Sequence, residues 1–297
     1  MASLVELAAM RRAIALSAFG IGATSPNPQV GCVILDADGR VVGEGYHQRK
    51  GQSHAEVNAL AAASDRARRG TAVVTLEPCN HYGRTPPCHQ ALLDAGVVRT
   101  VIGVIDPTSR GEGGAARLRQ AGVDVEVGVL ANEARLVLGP WLTALRTARP
   151  QVVWPYVVNP DGTSGSLGTV PYAECILRTV DVVLHEDGRV AEAIPGSHGA
   201  GVLSFSPVAL RTGPRSVLTT LYQRGMRSVI LSGGPILAAP FLRDGLIDRV
   251  MVNLASDGPS ARPPSDSGAV SLLPPGFRLT EVTRCGHHVQ LIGLPES

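Results

Sequence analysis

Residues 71–147 constrain the fold most, because short apolar runs there alternate with helical segments. TAVVTLE (71–77), RTVIGVI (99–105) and VDVEVGV (123–129) read as strands, and helices are expected over 88–95, 113–121 and 131–147. Strands apolar enough to need cover, spaced by helices that can supply it, make an α/β layer fold. Upstream, a helix over 3–19 leads to Gly20, Gly22 and the turn-rich TSPNPQ. VGCVIL (30–35) and VVGEGY (41–46) flank DADG, a hairpin signal, and a further helix is expected over 54–68. RTARP (146–150), polar and ending in proline, reads as a linker, so two domains are expected, 1–147 and 148–297. Beyond it, strands are expected at 151–158, 180–184, 227–234 and 248–255, and helices near 171–179, 214–225 and 236–243. The proline- and serine-rich stretch 257–276 reads as a loop.

Composition removes several classes. With 297 residues, 44% hydrophobic and 18% charged, the chain is globular, and disordered, collagenous and coiled-coil readings fall away. Residues 1–149 carry 16 basic and 13 acidic side chains and residues 150–297 carry 11 and 12, so neither half has the basic stripe of a nucleic-acid binder. No apolar run is long enough to span a membrane. MASLVELAAMRRAIALS, with Glu6 and two adjacent arginines, reads as an amphipathic helix and not a signal peptide, so a cytoplasmic location is expected. Lys50 is the single lysine, which removes any chemistry needing a second one. Five widely spaced cysteines do not form a disulfide framework; a cluster among them reads as metal ligands or buried apolar residues.

Chemistry concentrates in His54-Ala55-Glu56, Pro78-Cys79 and Cys88. One histidine and two cysteines supply three ligands for tetrahedral zinc and leave the fourth position to water, whose pKa the metal lowers towards neutrality. Glu56, two residues from the histidine, can take that water's proton and pass it to a ring nitrogen and a departing amine. H-x-E followed by P-C and a second cysteine is the pattern of zinc base deaminases. Plainer readings exist for each piece. Ser53-x-x-Glu56 is also a capping-box pattern, the cysteines could be buried apolar residues, and His81 or His89 could close a structural site as a fourth ligand. The joint placement favours catalysis: H-x-E opens a helix, and PC lies between a strand and another helix.

The cysteine spacing narrows the class, since eight residues separate Cys79 from Cys88 where nucleoside deaminases show P-C-x-x-C. LEPCNHYGRTPPC (76–88), TSPNPQVGCVI (24–34) and GYHQRKGQSHAEVNAL (45–60) resemble the riboflavin-biosynthesis deaminase/reductase family, RibD, over about residues 5–130. The resemblance implies a cytidine-deaminase-like three-layer αβα domain followed by a reduced dihydrofolate-reductase-like α/β domain. It implies Zn2+ on His54, Cys79 and Cys88, with Glu56 as the catalytic proton shuttle. It also implies hydrolytic removal of the 2-amino group of 2,5-diamino-6-ribosylamino-4(3H)-pyrimidinone 5′-phosphate. Asn27, His47, His81, Arg84 and Asp106 fall on substrate-contacting positions, Arg84 beside the phosphorylated sugar. Thr108 stands where the family carries asparagine after Asp106-Pro107, which leaves a related pyrimidine or pterin open as the substrate.

The second half resembles the family's reductase domain weakly. Pro155 replaces the lysine of its first strand, Asn159-Pro160 replace Ser-Leu, and Asp161-Gly162 are retained. Ser232-Gly233-Gly234 stands for E-G-G, so Asp161, Gly233 and Gly234 are the weak cofactor-binding candidates. The stretch around 185–215 looks short and lacks the T-x-x-x-D-x-P element. Pro155 also lacks a ladder donor, so its strand is expected to be bent or to lie at a sheet edge. NADPH chemistry is therefore not expected, a still active bifunctional reductase being the alternative, and the domain's remaining job is support or assembly of a homodimer or larger homo-oligomer.

Overall fold

The computed structural model describes residues 1–81, 86–109, 113–158, 164–166, 177–198, 203–254, 272–285 and 288–296. It divides into two compact units, Met1–Gly139 and Pro140–Ser297. In the first unit α1 (Leu4–Ala18) opens on a capping box: the Ser3 hydroxyl accepts from the Glu6 N–H at 3.2 Å, and the Glu6 carboxylate accepts from the Ser3 N–H at 2.7 Å. There follow β1 (Gly31–Leu35), β2 (Val41–Tyr46), α2 (Ala55–Ala63), a 3-10 turn (Ser64–Ala67) and β3 (Thr71–Leu76). The unit continues with α3 (Cys88–Asp94), β4 (Arg99–Val104), α4 (Gly114–Gln120), β5 (Asp124–Val127) and α5 (Ala131–Thr147), which crosses into the second unit. The sheet order is β2-β1-β3-β4-β5, with β1 antiparallel to both neighbours and β3, β4 and β5 parallel.

Side-chain alternation assigns the layers. Val33, Val73 and Val101 pair across the sheet on one face and share a core with Met10, Ala13 and Leu16 of α1. A Cβ on Gly31, of the same face, would lie 2.0 Å from the Ala13 carbonyl oxygen, and one on Gly103 would meet Ala134 of α5 at 3.3 Å. The opposite face belongs to α2, because a Cβ on Gly43 or Gly45 would lie 2.2 or 2.4 Å from its backbone at Ala59. Glycines two apart in VVGEGY are thus the seat of the helix that carries Glu56. The result is helix, sheet, helix.

Two local expectations are corrected here. The helix expected over 54–68 ends at Ala63, because Ser64 adopts the left-handed region at φ 52° and only a 3-10 turn continues. Ser53 does not cap α2 either: the N-cap is His54, with no side-chain cap bond, so Glu56 is the second helical residue and no capping box forms.

The second unit holds β6 (Gln151–Val158), β7 (Ser164–Ser166), β8 (Val182–His185), β9 (Arg189–Glu192), β10 (Leu203–Ser204), α6 (Pro207–Thr212) and α7 (Pro214–Gln223). It closes with β11 (Ser228–Ser232), α8 (Pro235–Arg243), β12 (Arg249–Leu254), β13 (Phe277–Cys285) and β14 (His288–Pro295). The sheet runs β10-β9-β8-β11-β6-β12-β14-β13, with β7 paired to β6. β8, β11, β6 and β12 are parallel, and Trp154, Leu184, Leu231, Leu218 and Phe241 fill the core on one face. The expected edge position of Pro155 is wrong: β6 is central, between β11 and β12. On the β11 side the ladder stops at Val153 and that of β7 starts at Tyr156. Pro155 falls between the two ladders, which is how a residue without an N–H is accommodated there. Most of the helix expected over 171–179 and of the loop over 257–276 lies outside the described residues. Among the described residues, no helix is long and apolar enough to cross a membrane.

Candidate active site

In an open sheet the loops leaving the carboxyl ends of parallel strands build the site, and here the loop after β3 meets the starts of α2 and α3. Cys79 follows β3, His54 is the N-cap of α2 and Cys88 the first residue of α3. Cys79 Sγ and Cys88 Sγ lie 3.6 and 3.3 Å from His54 Nδ1, and all three donor atoms lie within 4.8 Å of one another. A tetrahedral zinc with sulfur at about 2.3 Å and nitrogen at about 2.0 Å spaces such atoms about 3.6 Å apart, so the set fits the ion. Among the described residues no fourth ligand joins: His89 Nδ1 is engaged with the Cys79 carbonyl at 3.2 Å, and His81 is exposed on the cavity wall.

The two cysteines and His54 perturb one another. The Cys79 thiol is pulled down to about 4, first by the hydrogen bond from Cys88 and then by His54, whereas the Cys88 thiol is pushed up because its proton is held against Cys79. The Cys88 N–H also donates to Cys79 Sγ at 3.2 Å. The Glu56 carboxyl is buried at 3% exposure, and burial pushes it up to about 7, with the neighbouring Cys79 adding in the same direction. A carboxyl poised there can both accept and return a proton near neutral pH.

A cavity of about 620 Å³ opens onto His54 and Cys79, walled further by Asn27, Gln48, Gln52, Ser53, Asn58 and His81. That volume suits a small-molecule ligand. His47 lies behind this wall at 2% exposure: its Nδ1 is 3.0 Å from the Ser53 carbonyl, an acceptor, so Nε2 is left to accept from Asn27 Nδ2 at 3.3 Å. Burial lowers the His47 pKa, which favours this neutral form. Asp106 is not brought to the wall; its Oδ1 accepts from the Thr108 N–H and hydroxyl, both at 2.7 Å. Arg84 and Asp161 lie outside the described residues. Gly233 and Gly234 belong to the second unit, where the Gly234 N–H donates to Glu186 Oε1 at 2.6 Å.

Sequence reasoning missed Gln48, Gln52, Asn58 and Glu77. Asn58 had a signal, being the one polar side chain beyond Glu56 in AEVNALAAA and one turn after His54. Glu77 had one too, an acid closing an apolar strand. It is buried and accepts from the Asp106 N–H at 3.2 Å, Ser109 Oγ at 3.1 Å and the Ala115 N–H at 3.0 Å, which ties the loop after β4 to the Cys79 segment.

A three-layer sandwich with His, Cys and Cys at the carboxyl end of its sheet, and a buried glutamate two residues from the histidine, defines an enzyme of the cytidine-deaminase-like class. Residues 5–104 match the family described as the cytidine and deoxycytidylate deaminase zinc-binding region, and residues 178–291 match the RibD C-terminal domain. The riboflavin biosynthesis protein RibD of Mycobacterium tuberculosis is 38% identical over 275 residues, covering 79% of this chain and 80% of that protein. The diaminohydroxyphosphoribosylamino-pyrimidine deaminase of Buchnera aphidicola is 43% identical over 142 residues, 48% of this chain and 96% of its own. Acinetobacter baumannii RibD, form 1, is a solved structure with TM-score 0.78 and 27% identity, covering 99% of each chain. The chain belongs to the RibD family, with a deaminase unit first and a reductase-like unit second.

Proposed function

We propose that this chain hydrolytically deaminates 2,5-diamino-6-ribosylamino-4(3H)-pyrimidinone 5′-phosphate, and that its second unit does not use NADPH. The observation that carries the first part is the buried Glu56 carboxyl set beside a three-donor His54, Cys79, Cys88 cluster at the end of a cavity. Those three residues would hold zinc, which when bound supplies the Lewis acid that makes water nucleophilic near neutral pH. The exchange is balanced: one water is consumed, the ring carbon loses its amino group as ammonia, and oxygen takes its place. Glu56 takes the proton of the attacking water, passes it to the adjacent ring nitrogen, and assists departure of the amine. Asn27, its amide turned by His47, bonds the edge of the ring. His81 contacts the substrate from the wall, and Arg84 takes the phosphate with its planar fork. The Buchnera relative's name states this activity for that protein.

Two observations support the second part. The lysine of the family's first reductase strand is Pro155, and no other lysine exists in the second half. The Gly234 N–H, a donor that a dinucleotide phosphate would need, already serves the Glu186 carboxylate, and a Cβ on Gly233 would lie 2.4 Å from that side chain. The test is to incubate purified protein with the diaminopyrimidinone phosphate, with and without NADPH, and to identify products by mass. We expect ammonia and the 2-oxo product in both cases. No ammonia refutes the deaminase assignment, and a reduced sugar in the NADPH arm refutes the assignment of the second unit.

A further inference from the structure

Asn58 sits one helical turn beyond His54 on α2 and lines the same cavity. Its amide nitrogen has two hydrogens, and both are committed to main-chain carbonyls: Tyr46 at 2.9 Å and Ser53 at 3.3 Å. The amide cannot turn over, because reversal would set Oδ1 against two carbonyl oxygens, neither of which can donate. What Asn58 has left to offer a bound molecule is an acceptor. The Ser53 carbonyl that fixes it also holds His47 Nδ1, and through His47 it turns Asn27. One main-chain oxygen thus sets two carboxamides of the wall. Asn27, Gln48, Gln52 and Asn58 line it, and no carboxylate or ammonium group does so among the described residues, a lining suited to a neutral heterocycle.

We propose that Asn58 is a specificity-determining residue that accepts, through Oδ1, a hydrogen bond from an N–H of the substrate's heterocycle. This deepens the deaminase reading and rests on it, since the pyrimidinone carries both a ring N–H and amino groups. A fixed acceptor discriminates well: a ligand without the matching donor leaves a desolvated oxygen unpaired.

The experiment compares kcat/KM for three probes, the diaminopyrimidinone phosphate, its N3-methyl analogue and its 5-deamino analogue, in the unaltered enzyme and in Asn58→Ala. The unaltered enzyme is expected to disfavour one analogue by about tenfold or more, as loss of one hydrogen bond at a fixed acceptor would give. Asn58→Ala is expected to accept that analogue and the parent within about threefold, its loss on the parent lying mainly in KM. Asn58→Ser, which keeps one hydroxyl to donate or accept, serves if the alanine variant does not fold, and should discriminate at an intermediate level. Metal content, measured in each protein, separates loss of the wall contact from loss of the site. Equal discrimination by variant and unaltered enzyme, or none by the unaltered enzyme, overturns the role of Asn58 alone. If the unaltered enzyme releases no ammonia from the parent, the deaminase reading itself falls, and this inference with it.

Discussion

At the scale of single residues the site turns on two buried glutamates with different tasks. Glu56 faces the donor cluster and its carboxyl is pushed up by burial to about 7. Glu56→Gln preserves shape but cannot move a proton, so the variant should retain its metal, measured by elemental analysis, and lose about three orders of magnitude in turnover. Near-normal turnover would reduce Glu56 to a packing residue. Glu77 gathers three hydrogen bonds, with so little space around it that a Cβ on Gly113 would lie 2.3 Å from its Oε1. Glu77→Ala leaves buried donors unpaired, and urea denaturation should show a loss of about 2–3 kcal/mol. The zinc-type donors were legible in the sequence because ligand chemistry restricts residue type and spacing. Asn58 and Glu77 left only a positional signal, because the role of a carboxamide in a helix or a carboxylate at a strand end is not set until its partners are known.

Between elements, α1, β4 and β5 are joined at one guanidinium. Arg99 Nε lies 2.6 Å from Glu6 Oε1, its Nη2 lies 2.6 Å from Glu126 Oε2, and it also bonds Asp124. Burial pushes the Glu6 carboxyl up, but the Arg99 and Ser3 bonds outweigh it and hold the pKa below its ordinary value; Glu126 is likewise held low, first by Arg99. Carboxylates lowered in this way stabilise the fold in full above their unfolded value, about 4.3, and lose that contribution as pH falls through the lower folded value. Arg99→Ala should therefore cost about 2 kcal/mol at pH 7, and the gap to the unaltered protein should narrow below about pH 4. Thermal melts at both pH values check this, and a gap that widens in acid would contradict it. Strands and helices of the first unit followed from apolar runs, but their joints did not. Ser53-x-x-Glu56 fits a capping box in sequence, yet His54 occupies the cap of α2, and the box that does form joins Ser3 and Glu6 at the start of α1.

Across the whole molecule, the proposal that the second unit does not use NADPH has its own test. Calorimetric titration with NADPH should give no micromolar binding, and Glu186 at the Gly234 amide is one reason. Micromolar affinity, together with loss of the reduced-nicotinamide absorbance in the presence of deaminated product, would restore a bifunctional enzyme. By itself the sequence determined the α/β class and the His54, Glu56, Cys79, Cys88 set, because hydrophobic period and metal-ligand chemistry are both local, written in residue type and spacing. Only the tertiary structure decided that β6 could be central with Pro155 in it, since that depends on where the β11 ladder stops and the β7 ladder starts. It alone decided that His47 stands behind Asn27, that Asp106 turns to Thr108, and that Asn58 offers an acceptor. A side chain's hydrogen-bonding role is whatever its neighbours leave unused, and those neighbours are brought together by folding from distant points along the chain.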